Sequence, residues 1–102
     1  MKNIERIEIV VDAYHVREIT RVLGKHGVSG WSVVRDLAGA GNRGDQLADE
    51  ITGVSSNHMI LTTVDPEILD ALAADVQVLL NRFGGVMIAL PGRAIYGGSR
   101  DA

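Results

Sequence analysis

The chain has 102 residues, 46% of them hydrophobic, with a mean hydropathy of +0.13, a formal charge of −3 from 10 basic and 13 acidic residues, and no cysteine. That length holds one domain over residues 1–102, and so apolar a composition in so small a chain points to surface buried between subunits. Without cysteines there is neither a disulfide framework nor a thiolate metal site, and without a Lys/Arg run there is nothing to neutralise a row of phosphates, which argues against nucleic acid as a partner.

The opening "MKNIERIEIV" alternates charges where a signal peptide needs an apolar run, and no stretch reaches roughly 18 uninterrupted apolar residues. The expectation is a cytoplasmic protein. Residues 4–11, with Ile4, Ile7 and Ile9 among charged neighbours, predict a first strand, and Asp12 supplies a helix N-cap. From Tyr14 to His26 the positions of Val16, Ile19, Val22 and Leu23 predict an amphipathic helix, ended by Gly27 as a left-handed C-terminal residue. "WSVVRD", 31–36, predicts a second strand, and the Gly, Asn, Asp, Ser and Thr that follow to Asn57 predict a loop of about twenty residues.

"HMILTTV" from His58 predicts a third strand, and Asp65-Pro66-Glu67 an N-cap with proline at the first helical position. In the helix that follows, Ile68, Leu69, Leu72, Ala73, Val76, Leu79, Leu80 and Phe83 make one apolar stripe ending at Gly84-Gly85. "VMIALP", 86–91, predicts a fourth strand, so apolar that it is expected to be buried on both faces or at a subunit contact. A tail over about 92–102 completes the chain. The order strand, helix, strand, strand, helix, strand is that of an α+β, ferredoxin-like βαββαβ fold with a long loop between strands 2 and 3.

Gly39 to Gly44, "GAGNRG", spells the dinucleotide pattern G-x-G-x-x-G, and Asp65 lies about twenty residues beyond at the end of another strand. The crossover helix would have to come from "DQLADEITGVSSN", which Thr52-Gly53 and Ser55-Ser56-Asn57 break, and no second half exists to hold a dinucleotide. Nor is this a P-loop, because Asp45-Gln46 replaces its lysine and hydroxyl. A glycine cluster is commonly a turn, and a lone arginine is commonly solvated. Loops beyond about 12–15 residues in a compact domain are usually functional, however. Gly39, Gly41 and Gly44 can present backbone N–H groups to an anion, with Arg43 adding a planar charged fork.

The stretch "GVSGWSVVRDLAGAGNRG", Gly27 to Gly44, resembles the turn, strand and Gly-x-Gly entry to the T-loop of PII signalling proteins. "HMILTTVDPEILDAL" and "FGGVMIALPGRAIYG" extend the similarity through the third strand, second helix, B-loop and fourth strand, and Ile95, Tyr96 and Gly97 look like the inorganic-carbon-linked, carboxysome-associated branch. The resemblance implies a homotrimer, a T-loop at about 37–57, and an adenine nucleotide, ADP or AMP, in each cleft between subunits. Its nucleotide-binding positions would be Ser32 near the adenine, Gly39, Gly41, Asn42 and Arg43 at the T-loop base, Gly85 in the B-loop, and Arg93 and Arg100 at the C-terminal end.

Departures from the pattern narrow the function it implies. Val86 stands where a phosphate-binding lysine is expected, Arg43 replaces the glutamine that helps hold magnesium, 2-oxoglutarate and ATP, and no tyrosine between Asp36 and Asn57 is available for uridylylation. The expectation is therefore a regulator, not an enzyme, that binds ADP or AMP and senses bicarbonate through Gly41, Asn42 and Arg43, with no metal. Its target would be a bicarbonate transporter or a carboxysome-associated protein. The alternatives are a nitrogen-regulating PII sensing ATP and 2-oxoglutarate, and a CutA-like structural trimer without nucleotide response. An enzyme finds little support: His15 and His26 lie eleven residues apart on the first helix, His58 begins a strand, and Glu5, Glu8, Asp70 and Asp75 are expected on solvated faces.

Overall fold

The computed structural model describes residues 1–37, 40–41, 44–45 and 56–98. Strand β1 (Lys2–Asp12) runs into a 3₁₀ turn and helix α1 (Val16–Lys25); β2 (Ser32–Leu37) follows. Two short strands, β3 (Ala40–Gly41) and β4 (Gly44–Asp45), precede β5 (Asn57–Val64), a second 3₁₀ turn, helix α2 (Leu69–Phe83) and β6 (Val86–Ala94). The four long strands form one antiparallel sheet in the order β2-β5-β1-β6, as the βαββαβ reading requires.

Local chemistry sets the helix ends. The Asp12 carboxylate accepts the Tyr14 N–H at 2.8 Å, the cap expected of it. Gly27, at φ +83°, closes α1 as a Schellman motif: the Val28 N–H donates to the Leu23 carbonyl and the Gly27 N–H to that of Gly24, both at 3.0 Å. Asp65 takes the N-cap position before Pro66, as expected, but not with its side chain. Its side chain caps nothing and instead pairs with Lys2 at 2.8 Å, tying the start of β1 to the turn after β5, while its carbonyl accepts the Ile68 N–H. The tail also begins later than expected, because Gly92 and Arg93 pair with Ile4 and Asn3, which keeps β6 in the ladder to Ala94. Pro91 is tolerated there because β6 is an edge strand.

Both helices cover one face of the sheet. Ile7, Ile9 and Val11 of β1, Ile60 and Val64 of β5, Ile19 and Leu23 of α1, and Leu72 and Val76 of α2 are buried together, so both helical stripes face inward as read. Among the described residues the other face carries no helix. On it the registers align Val34, Met59, Val10 and Val86 in one row, Ser32, Leu61, Glu8 and Ile88 in the next, and Thr63, Arg6 and Leu90 in a third. Val86, Ile88 and Leu90 are 46%, 42% and 48% exposed, so β6 is not buried on both faces within one chain.

One polar link between the helices is hidden by sequence separation. His26, just past α1, meets Asp75 of α2 at 2.7 Å, 49 residues away, with Lys25 at 3.8 Å from the same oxygen. Asp75 is therefore half-exposed but paired, not merely solvated. The hydrogen bond from His26, and then the nearby positive charges, hold its carboxyl below the ordinary value despite an opposing desolvation effect. A carboxylate with a lowered folded-state pKa contributes stability above its unfolded pKa of about 4, and that contribution is lost as pH falls through the folded value. Urea denaturation should accordingly show Asp75→Asn to be less stable than the wild type at neutral pH, with the two midpoints converging in acid below about pH 4. A midpoint difference that persists unchanged into acid would contradict this role.

Candidate functional site

The described part of the glycine loop is strand, not the first turn of a helix. Within the G-x-G-x-x-G stretch, Ala40 pairs with Asp45 and Gly41 with Gly44 in a small antiparallel ladder. That ladder is incompatible with the strand-to-helix turn on which a dinucleotide site rests. Of the residues expected at the T-loop base, Gly41 lies in this ladder, while Gly39, Asn42 and Arg43 fall outside the described residues, as does Arg100.

Ser32 begins the edge strand β2 and is exposed, opposite Leu61 on the helix-free face. Beside it lies an open depression of about 290 Å³ lined by Arg6, Gly30, Leu61, Thr62 and Thr63. Its walls are fixed by side-chain hydroxyls. Thr62, buried, donates from Oγ1 to the Gly30 carbonyl at 2.6 Å and so pins the turn before β2 against β5. Thr63 Oγ1 meets the Tyr96 hydroxyl at 2.7 Å, and Arg6 Nε donates to Glu8 at 2.9 Å on the same face. Gly30, Leu61, Thr62 and Thr63 all fall within stretches that carry the family resemblance, yet none stands out there as a site residue, because hydroxyls on a strand carry no spacing signal of their own.

Gly85 has a packing reason for being glycine. At φ +115° a Cβ there would come 2.6 Å from the Val10 carbonyl oxygen and 2.9 Å from Val11 Cγ1. The turn between α2 and β6 thus lies directly on the end of β1, at the same end of the sheet as Leu37 and Asn57, where the long loop leaves and returns. Gly84, at φ +84°, precedes it and closes α2 through its N–H to the Leu80 carbonyl at 2.8 Å.

Arg93 is exposed on β6, paired with Asn3. It is three strands from β2 and five residues along β6 from Ile88, the residue in the row of Ser32. Those offsets correspond to roughly 14 Å and roughly 17 Å, and alternation puts the two side chains on opposite faces. One chain therefore does not bring Ser32 and Arg93 together. The depression is also slightly below the range of about 300–1,000 Å³ common for small-molecule pockets, and it is open on one side. A second chain against the β2 edge and the helix-free face would both complete the pocket and cover the exposed valine, isoleucine and leucine.

Elsewhere, His15 stacks on Phe83 with ring centroids 3.9 Å apart and meets Glu18 at 2.8 Å. His15 and His26 are thus engaged separately, and among the described residues no group of His, Asp and Glu is arranged to hold a metal ion. No helix among them is long and apolar enough to cross a membrane.

A family model described as nitrogen regulatory protein P-II matches residues 4–93. Among solved structures, the chain is similar to CPII, a PII-like protein of Thiomonas intermedia K12, in several states. The form bound to ADP and bicarbonate is 25% identical, covering 87% of this chain and 85% of that one, with a TM-score of 0.73. The form bound to ADP, AMP and acetate is 23% identical over 90% and 91% of the two chains, with a TM-score of 0.75. The apo form, described as a nitrogen regulatory PII-like protein, is 23% identical over 87% and 88%, with a TM-score of 0.72. No curated protein matches the chain in sequence.

Gly85→Ala tests the packing reading independently of any ligand. The strained φ and the contact with the Val10 carbonyl should lower unfolding free energy by about 2 kcal/mol or more, read from the urea midpoint without nucleotide. An unchanged midpoint would show that the turn does not need glycine for its fold.

Proposed function

Because the chain belongs to the P-II family of nitrogen regulatory proteins, whose model spans residues 4–93, we propose that it is a trimeric regulator that binds ADP or AMP between subunits and senses bicarbonate beside the phosphate. The observation that carries this reading is the half-pocket next to Ser32 on an uncovered apolar sheet face. The base occupies the depression between Gly30, Leu61 and Thr63, and the phosphates run along β2 toward Leu37 and the T-loop base. From Ser32 to Leu37 is roughly 17 Å of strand, room for a base, a ribose and a diphosphate.

Charge explains the rest of the proposal. Phosphate and bicarbonate are both anions, so adjacent binding needs a cation between them, and Arg43 with the backbone N–H groups of Gly41 and Asn42 supplies it. Gly39 and Gly85 give close backbone approach to the phosphates, and Arg93 and Arg100 come from the neighbouring subunit, since Arg93 is remote from Ser32 in its own chain. The ADP, AMP and bicarbonate bound by CPII support the choice of ligands. In this reading the whole chain is one cytoplasmic, non-catalytic domain of the inorganic-carbon-linked branch. Ligand binding is reported through its T-loop to a bicarbonate transporter or a carboxysome-associated target.

Calorimetry tests it. ADP should bind the wild type saturably, and bicarbonate should tighten that binding about fivefold or more, an effect that Arg43→Ala removes; linkage requires ADP to strengthen bicarbonate binding equally. An ADP affinity indifferent to bicarbonate would refute the sensor. Displacement of ADP by magnesium ATP with 2-oxoglutarate would instead identify a nitrogen sensor, and no saturable ADP binding would identify a structural trimer.

A further inference from the structure

The segment after β6 returns to the site. Ala94 pairs with Lys2 at the end of the sheet, yet the Tyr96 hydroxyl lies 2.7 Å from Thr63 Oγ1 on β5, with β1 between them. To make that contact the chain crosses the helix-free face over the end of β1. Ile4, on that face beneath the crossing, is only 6% exposed, in contrast to Ile88 and Leu90 on the same face. Thr63 is one of the five residues lining the depression, so Tyr96 sits behind a wall of the pocket and touches it through one hydroxyl.

We propose that Tyr96 is a positioning residue that fixes the Thr63 hydroxyl as a hydrogen-bond donor to a ring nitrogen of the bound nucleobase. A phenol, with a pKa near 10, is far more acidic than an aliphatic alcohol and is the better donor of the two. Either hydroxyl can donate across this 2.7 Å contact, and in the proposed arrangement the phenolic O–H donates and Thr63 Oγ1 accepts. A threonine hydroxyl has one proton and two lone pairs, so once a lone pair is occupied by Tyr96 the proton is directed elsewhere, toward the depression. The pocket then presents a donor at this wall and selects a heterocycle carrying an acceptor there. Thr62, whose own proton is committed to the Gly30 carbonyl, does not compete for the role.

This inference rests on the nucleotide reading above, and its test separates the two. ADP and its 1-deaza, 3-deaza and 7-deaza analogues are titrated against the wild type, Tyr96→Phe, Thr63→Val and the double variant. Urea midpoints check that each variant is folded, and Thr63→Val keeps the β-branched shape of the strand residue. Each single variant should bind ADP roughly three- to tenfold more weakly, the worth of one hydrogen bond, and the double variant no more weakly than Thr63→Val. One deaza analogue should show the same loss with the wild type and be indifferent to both substitutions. Single variants that bind ADP like the wild type, additive losses, or equal sensitivity for all three analogues would overturn the role of Tyr96 while leaving the nucleotide reading intact. Absence of ADP binding by the wild type would overturn both.

Discussion

A four-stranded sheet has two faces, and the two helices among the described residues lie on the same one. Ile7, Ile9 and Ile60 pack under α1 and α2, while Val86, Ile88 and Leu90 stand exposed on the other side. Apolar side chains in a contiguous sheet surface are stabilised by removal from water, at about 25 cal/mol per Å² buried. That constraint makes a closed, symmetric assembly the natural state of the fold and places the edges β2 and β6 at opposite sides of each subunit. A ligand site drawing on both edges is then a site between chains, and its occupancy is coupled to how the chains meet.

Within one subunit the site is held by short-range devices. Thr62 pins the turn at Gly30, Tyr96 braces Thr63, and Gly85 lets the turn after α2 lie on the Val10 carbonyl. These contacts keep the half-pocket in shape before a partner arrives, which lowers the ordering cost of binding. The long loop between β2 and β5 departs from the other end of the same edge, so in the proposed site a ligand running along β2 would have the depression at one end and the start of the loop at the other.

The secondary structure was legible because it rests on local rules: the Asp12 cap, the Gly27 reversal and the stripe from Ile68 to Phe83 each have a neighbourhood-scale cause. Asp65 holds the cap position that a residue before Pro66 suggests, but its carboxylate goes to Lys2, 63 positions earlier in sequence and the nearer charge in space. The pairings His26 with Asp75 and Thr63 with Tyr96 were invisible for the same reason, since no periodicity links residues 49 or 33 apart. The glycine pattern matched a dinucleotide motif in letters, but the glycines of that motif open a helix, whereas Gly41 and Gly44 pair with each other in a two-residue ladder. Ser32 and Gly85 were reached through family resemblance; the hydroxyl-built wall beside Ser32 needed coordinates. The T-loop base at Gly39, Asn42 and Arg43 lies outside the described residues, so its part in the site still rests on the sequence pattern.

The central claim is that one cleft takes its β2 edge from one chain and its β6 end from another. The most direct measurement unfolds and refolds together, in equal amounts, Ser32→Trp, which blocks the depression, and Arg93→Glu, which repels phosphate, and counts ADP sites by calorimetry. Neither variant alone should bind ADP. In randomly mixed trimers about one cleft in four draws both halves from unmutated segments, so about a quarter of the sites should return at wild-type affinity. A mixture that binds no more ADP than its components would contradict a site shared between subunits.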